Sequence, residues 1–312
     1  LFNFVLRIKI QHRHFVDTRV ALCNGAHKTL NILNMKRILL ASAVAVALVG
    51  VTATSCKKEK PDTETQSAVD NNICETEFGK SMTTINGFAI KENGIKGMQD
   101  AADMMAGNPT IIVDPADTLD GFPVTMTIDY GSGTSFTTDA VDGKVRTGKI
   151  ICVFSDNWSN VGAHVKVTMV NYVSGGIAYS CDSMKITHTS ASSFTHQIFK
   201  GRCTSSAWSN PLQWEGTRTF AQTAGMATPL NPLDDVYSLS GNASGVNRDG
   251  KSYTVSITQP IVKATACSWV QSGRVDITPE GLAVRTVDYG NGTCDAAATL
   301  TINGNTFTFN MN

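Results

Sequence analysis

The sequence predicts an all-β, antiparallel, β-sandwich-like fold, built as one domain or as two related β units, with one short helix ahead of the strands. Three observations carry this. Short stretches of alternating apolar and polar residues recur from residue 110 to the end. Tight-turn pairs separate them, as at Asp142-Gly143, Asp249-Gly250 and Asn303-Gly304, where a hairpin needs positive φ. Thr and Ser alternate with Val and Ile, so most strands keep one wet face.

The elements follow in order. Val124–Tyr130 alternates and ends at Gly131-Ser132-Gly133. Lys149–Phe154 and His164–Tyr172 come next, and the latter runs into Gly175-Gly176. Further strands are expected at Met184–His188, Phe194–Phe199, Trp214–Phe220, Val236–Ser240, Ser252–Thr258, Gly273–Thr278, Ala283–Tyr289, Ala298–Ile302 and Thr306–Met311. The helix is expected over 94–106, where Ile95, Met98, Ala102 and Met105 recur at helical spacing and Gly107-Asn108-Pro109 stops the run. Thr127–Thr134 echoes Thr286–Thr293 across 159 residues. A duplicated β unit explains the echo, and so does repeated strand–turn chemistry.

The N-terminus reads as an address. Residues 38–51 form an apolar run of 14, behind Met35-Lys36-Arg37 and ahead of Ala53-Thr54-Ser55-Cys56. A basic start, a short apolar centre and small residues describe a signal peptide, and the run is too short to span a bilayer. Small residues ending at a cysteine, followed by a polar stretch, resemble a bacterial lipoprotein signal, which implies lipid attachment at Cys56. The expected organisation is therefore an overextended start over 1–34, a lipoprotein signal peptide over 35–55, a flexible tether over 56–73 and an all-β domain over 74–312. Sub-units of that domain are expected at 110–200 and 210–312.

Charge follows from this division. The full chain has 26 basic and 26 acidic residues; dropping residues 1–55 removes seven basic and one acidic. The remainder, 19 basic against 25 acidic, is net −6 and lacks the basic footprint that nucleic acid requires.

An exported chain meets an oxidising compartment, where disulfides persist. Six cysteines follow Cys56, and the favoured pairs are Cys267–Cys294 and then Cys181–Cys203, each on nearby strands. Zinc is disfavoured: no Cys-x2-Cys occurs, and only His164, His188 and His196 lie in this part. No cofactor motif is present, and neither G-x-S-x-G nor H-E-x-x-H occurs, so no catalytic residue is assigned. Asp129 and Asp288 stand at strand ends beside glycines and suit either turn N–H groups or Ca²⁺. Asp234-Asp235 is a poor acid–base couple, because neighbours on an extended chain point apart. Trp158 and Trp208 stand among Ser and Asn, with Asn157 and Asn210 beside them. An aromatic face with adjacent amides suits a sugar ring, so these four are the candidate ligand-binding residues.

The segments Gly250–Thr258, Cys267–Gly273 and Val287–Asp295, with Ile128–Gly131, Asp142–Ile150 and Asn171-Tyr172 upstream, resemble a family of uncharacterised Bacteroidota lipoproteins. The resemblance covers most of 120–312. It implies an all-β lipoprotein of the cell envelope, anchored to the outer membrane by its lipid, and supplies no activity. The expected function is a non-catalytic binding module for glycan or another envelope component. A structural, adhesin or assembly lipoprotein is the alternative, and a glycan-directed hydrolase the third.

Overall fold

The computed structural model describes residues 61–92, 107, 109–114, 121–133, 136–229 and 231–311. The segments read as an overextended start and a signal peptide, Cys56 and the helix expected over 94–106 lie outside the described residues. Residues 62–312 form one unit. The fold is all-β and antiparallel, with a single α-helix among the described residues.

The helix, α1, runs Gln66–Glu92. Residues 66–73 therefore belong to it, although their polarity suggested a tether. Glu64 starts it by accepting the Ser67 N–H at 2.7 Å, which satisfies one of the orphan donors of a first helical turn. Cys74, Phe78, Met82, Ile85 and Ala89 are buried along it, but so are Asp70, Asn71, Glu77, Ser81 and Asn86. A helix enclosed on most sides has no wet face, so it shows no amphipathic stripe.

The strands are β1 (Thr110–Asp114), β2 (Val124–Asp129), β3 (Thr137–Thr138), β4 (Val145–Phe154), β5 (His164–Ser174), β6 (Ile177–Ser180), β7 (Ser183–Ser190) and β8 (Ser193–Thr204). They continue as β9 (Leu212–Ala224), β10 (Val236–Val246), β11 (Ser252–Ala264), β12 (Ser272–Pro279), β13 (Arg285–Asn291), β14 (Ala297–Ile302) and β15 (Asn305–Asn310). Neighbours pair in the order β1-β2-β4-β5-β6-β8-β9-β10-β11-β12-β13-β14-β15, with β3 on β4 and β7 between β5 and β8. No break falls between 110–200 and 210–312: β8 pairs β9 from Ser193↔Ala221 to Cys203↔Leu212.

The sheet curls around α1. Its register shifts at Thr147/Lys149, Ile198/Gly201, Leu239/Asn242 and Ser272/Arg274, and such bulges bend strands and increase their twist. Three of them share a device. Gly148, Gly241 and Gly273 hold φ of 84°, 125° and 115°. A Cβ there would lie 2.2 Å from the Asn171 carbonyl oxygen, 2.2 Å from that of Thr217 and 2.6 Å from that of Pro260. Only glycine allows neighbouring backbones this close.

The inner face grips the helix through charge as well as apolar packing. Arg146 on β4 contacts Glu77 at 3.1 Å and Asp142 at 2.7 Å. Arg218 on β9 meets Glu75 at 2.6 Å, and Arg248 in the β10–β11 turn meets Asp70 at 2.7 Å. Arg285 on β13 pairs with Asp62 and Glu64, just ahead of the helix. Indoles add direction: Trp214 donates to Asn71 at 2.9 Å and Trp158 to Asn86 at 2.8 Å. Burial raises the Glu77 carboxyl, but Arg146, Lys144 and the Tyr172 hydroxyl together hold it below the usual carboxylate range.

Candidate functional site

Two concave features stand out, on opposite faces of the sheet. The inner one is a cleft between α1, the β3–β4 turn and the loop after β11. Phe220, Leu239, Ile261, Val270 and Met311 supply apolar walls, and Lys263 and Thr265 supply polar groups. The Lys263 ammonium donates to the Cys267 carbonyl, and the Ser268 hydroxyl donates to that of Val141. Burial, with Lys80 nearby, pushes the Lys263 amine down to about 7. The cleft encloses only about 60 Å³. Small-molecule pockets run to ~300–1,000 Å³, so this cleft suits a few waters rather than a ligand.

The outer feature is a shallow groove across β7 to β12. Two depressions of about 780 and 660 Å³ meet at Glu215 and Ser244. Sheet register builds its lining. Lys185, Gln197, Thr217 and Asn242 line it and stand opposite one another on successive strands, and the same row continues beyond the groove to Ser256 and Asp276. A second row places Glu215 opposite Ser244, Ser244 opposite Thr254 and Thr254 opposite Thr278. The first row presents amides, hydroxyls and a carboxylate, and the second hydroxyls and a carboxylate, at the inter-strand spacing, ~4.8 Å. Phe199 on β8 stands at the groove, 52% exposed, with the Lys200 ammonium 5.0 Å from its ring centroid. It is the exposed aromatic of the groove.

The structure relocates the aromatic lead. Trp158 is buried, stacked on Phe194 at 5.5 Å, so it offers no surface to a sugar. Asn157 uses its side-chain oxygen to accept the Ser159 N–H at 2.9 Å within a turn. Trp208 is half-buried, and the Arg248 guanidinium lies 4.5 Å from its ring centroid. Asn210 is exposed and donates to the Arg248 carbonyl at 3.0 Å. These two side chains thus fasten the Arg248 turn, whose guanidinium reaches Asp70 of α1. Sequence reading missed Phe199 because the groove residues are scattered over several strands. A signal exists: Phe194, His196 and Ile198 alternate inward, which leaves Phe199 on the wet side.

Cys267 and Cys294 form the expected disulfide. The Cys181–Cys203 pairing is not formed. Cys203 faces inward from β8, with its sulfur 3.3 Å from that of Cys74 on α1, and Cys181 is a free thiol in the turn before β7.

The two echoed carboxylates serve turns. Asp129 accepts the Gly131 N–H at 2.9 Å and pairs with Lys149 at 2.9 Å; Asp288 accepts the Gly290 N–H at 2.9 Å and pairs with Arg274 at 2.7 Å. The Lys149 contact leads in lowering Asp129, and the Gly290 N–H leads for Asp288. Each cation directly follows one of the bulge glycines, Gly148 or Gly273. The Asp strand comes first in one copy and second in the other, an order that tandem duplication of a hairpin does not produce. Shared strand-end chemistry accounts for the echo. Among the described residues, no group of three or more His, Cys, Asp and Glu is placed to hold a metal ion. No described helix is long and apolar enough to cross a membrane.

Comparison with protein-family models, with curated proteins and with solved structures finds no match.

Proposed function

We propose that this chain is a lipid-anchored cell-envelope protein that binds glycan, or another polar envelope polymer, along the outer groove. One observation carries the reading: the registered rows of Gln197, Thr217, Asn242, Ser244 and Thr254 lie beside the exposed ring of Phe199. A sugar chain needs repeated hydrogen-bonding groups and a flat apolar face, and this surface supplies both. The anchor comes from the signal-like segment ending at Cys56. The polar stretch after it would hold the domain off the bilayer.

Screening the purified chain on a polysaccharide array tests the binding. Wild type is expected to retain at least one envelope or host glycan. Phe199→Ala should weaken that affinity about tenfold, equivalent to ~1.4 kcal/mol, with the melting temperature unchanged. Absence of binding to every polysaccharide would sink the glycan reading. Radiolabelled palmitate in a bacterial host tests the anchor: label should enter the wild type and be lost in Cys56→Ala.

A further inference from the structure

The geometry points to a second disulfide, Cys74–Cys203, that covalently fastens the enclosed helix to the sheet. The two sulfurs lie 3.3 Å apart, and both residues are fully buried. A bonded pair needs ~2.05 Å, so a small approach converts contact into bond. Cys74 sits within α1 and Cys203 near the end of β8, 129 residues away. Phe78, one turn after Cys74, packs edge-on to Tyr179, and Tyr179 stands opposite Cys203 in the β6–β8 pairing. The Trp214 indole stacks on Phe78 and donates to Asn71. The sheet therefore aims these two thiols at each other. Cys152 and Cys181 have no such partner sulfur among the described residues.

The chemistry is thiol–disulfide exchange with a small-molecule or protein disulfide as oxidant. One cysteine thiolate attacks a donor sulfur and expels the first donor thiolate, leaving a mixed disulfide. The second cysteine thiolate then attacks the protein sulfur of that mixed disulfide and expels the second donor thiolate. The protein loses two protons and two electrons; the donor disulfide is reduced to two thiols. Burial, and then the neighbouring Cys203 sulfur, push the Cys74 thiol well up. Exchange needs thiolate and access, so the bond forms while the sheet is still closing around the helix. A chain folded in reductant keeps both thiols shielded. In a cell the oxidant rests on the export part of the proposed function. In vitro it does not, so the two readings fail separately.

The test is refolding of the reduced, denatured full chain in a reduced/oxidised glutathione couple, followed by alkylation, proteolysis and non-reducing mass spectrometry. Cys267–Cys294 reports that the couple is oxidising enough. The expected result is a Cys74–Cys203 crosslinked peptide, lighter by two hydrogens than its separate halves and lost on reduction. Recovery of Cys74 and Cys203 as separately alkylated peptides, in chains where Cys267–Cys294 has formed, would overturn the proposal. So would a Cys181–Cys203 crosslink. A second measurement needs no new bond: in chain folded under reductant, Cys181 should react with maleimide at least tenfold faster than Cys74 or Cys203. Equal rates would show that the pair is not enclosed as described, and would count against it.

Discussion

The two faces of the sheet use polar residues in opposite ways. On the inner face, Arg146, Arg218 and Arg285 are nearly or fully buried, and each meets a carboxylate on α1 or just ahead of it. On the outer face, Gln197, Thr217, Asn242 and Ser256 repeat across the strands and stay in water. A buried charge must find its partner at one geometry, so the inner face fixes where the helix sits. A solvated row keeps its hydrogen-bonding capacity free, so the outer face can meet a ligand. The contrast teaches that polarity in this chain divides by accessibility and not by amount.

The strongest test of the inner face is to orphan one charge. Glu77→Ala leaves Arg146 in the interior with part of its compensation gone. Urea unfolding should then show a loss of about 3–5 kcal/mol, as for other broken buried pairs. Replacing Arg146 as well should deepen the loss, because buried Asp139 and half-buried Asp142 then lose the same guanidinium. If the single variant is as stable as wild type, the ion pair does not hold the helix.

Acid should weaken the inner face as well. Burial, with Arg218 nearby, pushes His196 down to about 3, from an ordinary value of 6.5. A depressed folded-state value means full stability above 6.5, lost progressively as pH falls towards 3. The expected loss is a few kcal/mol. Asp235, raised to about 6 chiefly by burial, acts the other way: its contribution is lost as pH rises through 6. Stability curves for wild type and His196→Phe, measured from pH 7 to 3, isolate the histidine. The variant should be flatter, and parallel curves would reject the assignment.

The bulge glycines test the curvature that creates both faces. Gly148→Ala or Gly273→Ala forces a side chain into positive φ and against a neighbouring carbonyl. Each should cost about 2 kcal/mol in chemical denaturation. The smallest effects belong to the outer rows. Thr217→Ala and Asn242→Ala should change unfolding free energy by no more than about 0.5 kcal/mol. A large loss there would mean that the rows are structural and not a free ligand surface.

Much of the strand order was legible because a half-buried strand writes its two faces into alternate residues. Asn303-Gly304 shows how far a turn can be read: both residues hold positive φ, 49° and 78°, as a tight hairpin between β14 and β15 demands. The Cys267–Cys294 bridge also followed from short separation and adjoining strands. The helix did not. Asp70 and Asn71 make its first turns look like a solvated tether, Glu77 and Asn86 interrupt the apolar spacing further on, and only their distant partners Arg248, Trp214, Arg146 and Trp158 make burial tolerable. Trp158 misled for the same reason: its polar neighbours are local, while the amide that satisfies its indole is 72 residues away.

The β class, the turns and the Cys267–Cys294 bridge can be read along the chain, because each depends on near neighbours or on composition. The tertiary structure alone decided which charges are buried, which thiols meet and which aromatic faces water. Those outcomes depend on partners brought together from distant strands, and a buried aspartate reads the same as a solvated one until its arginine is in place.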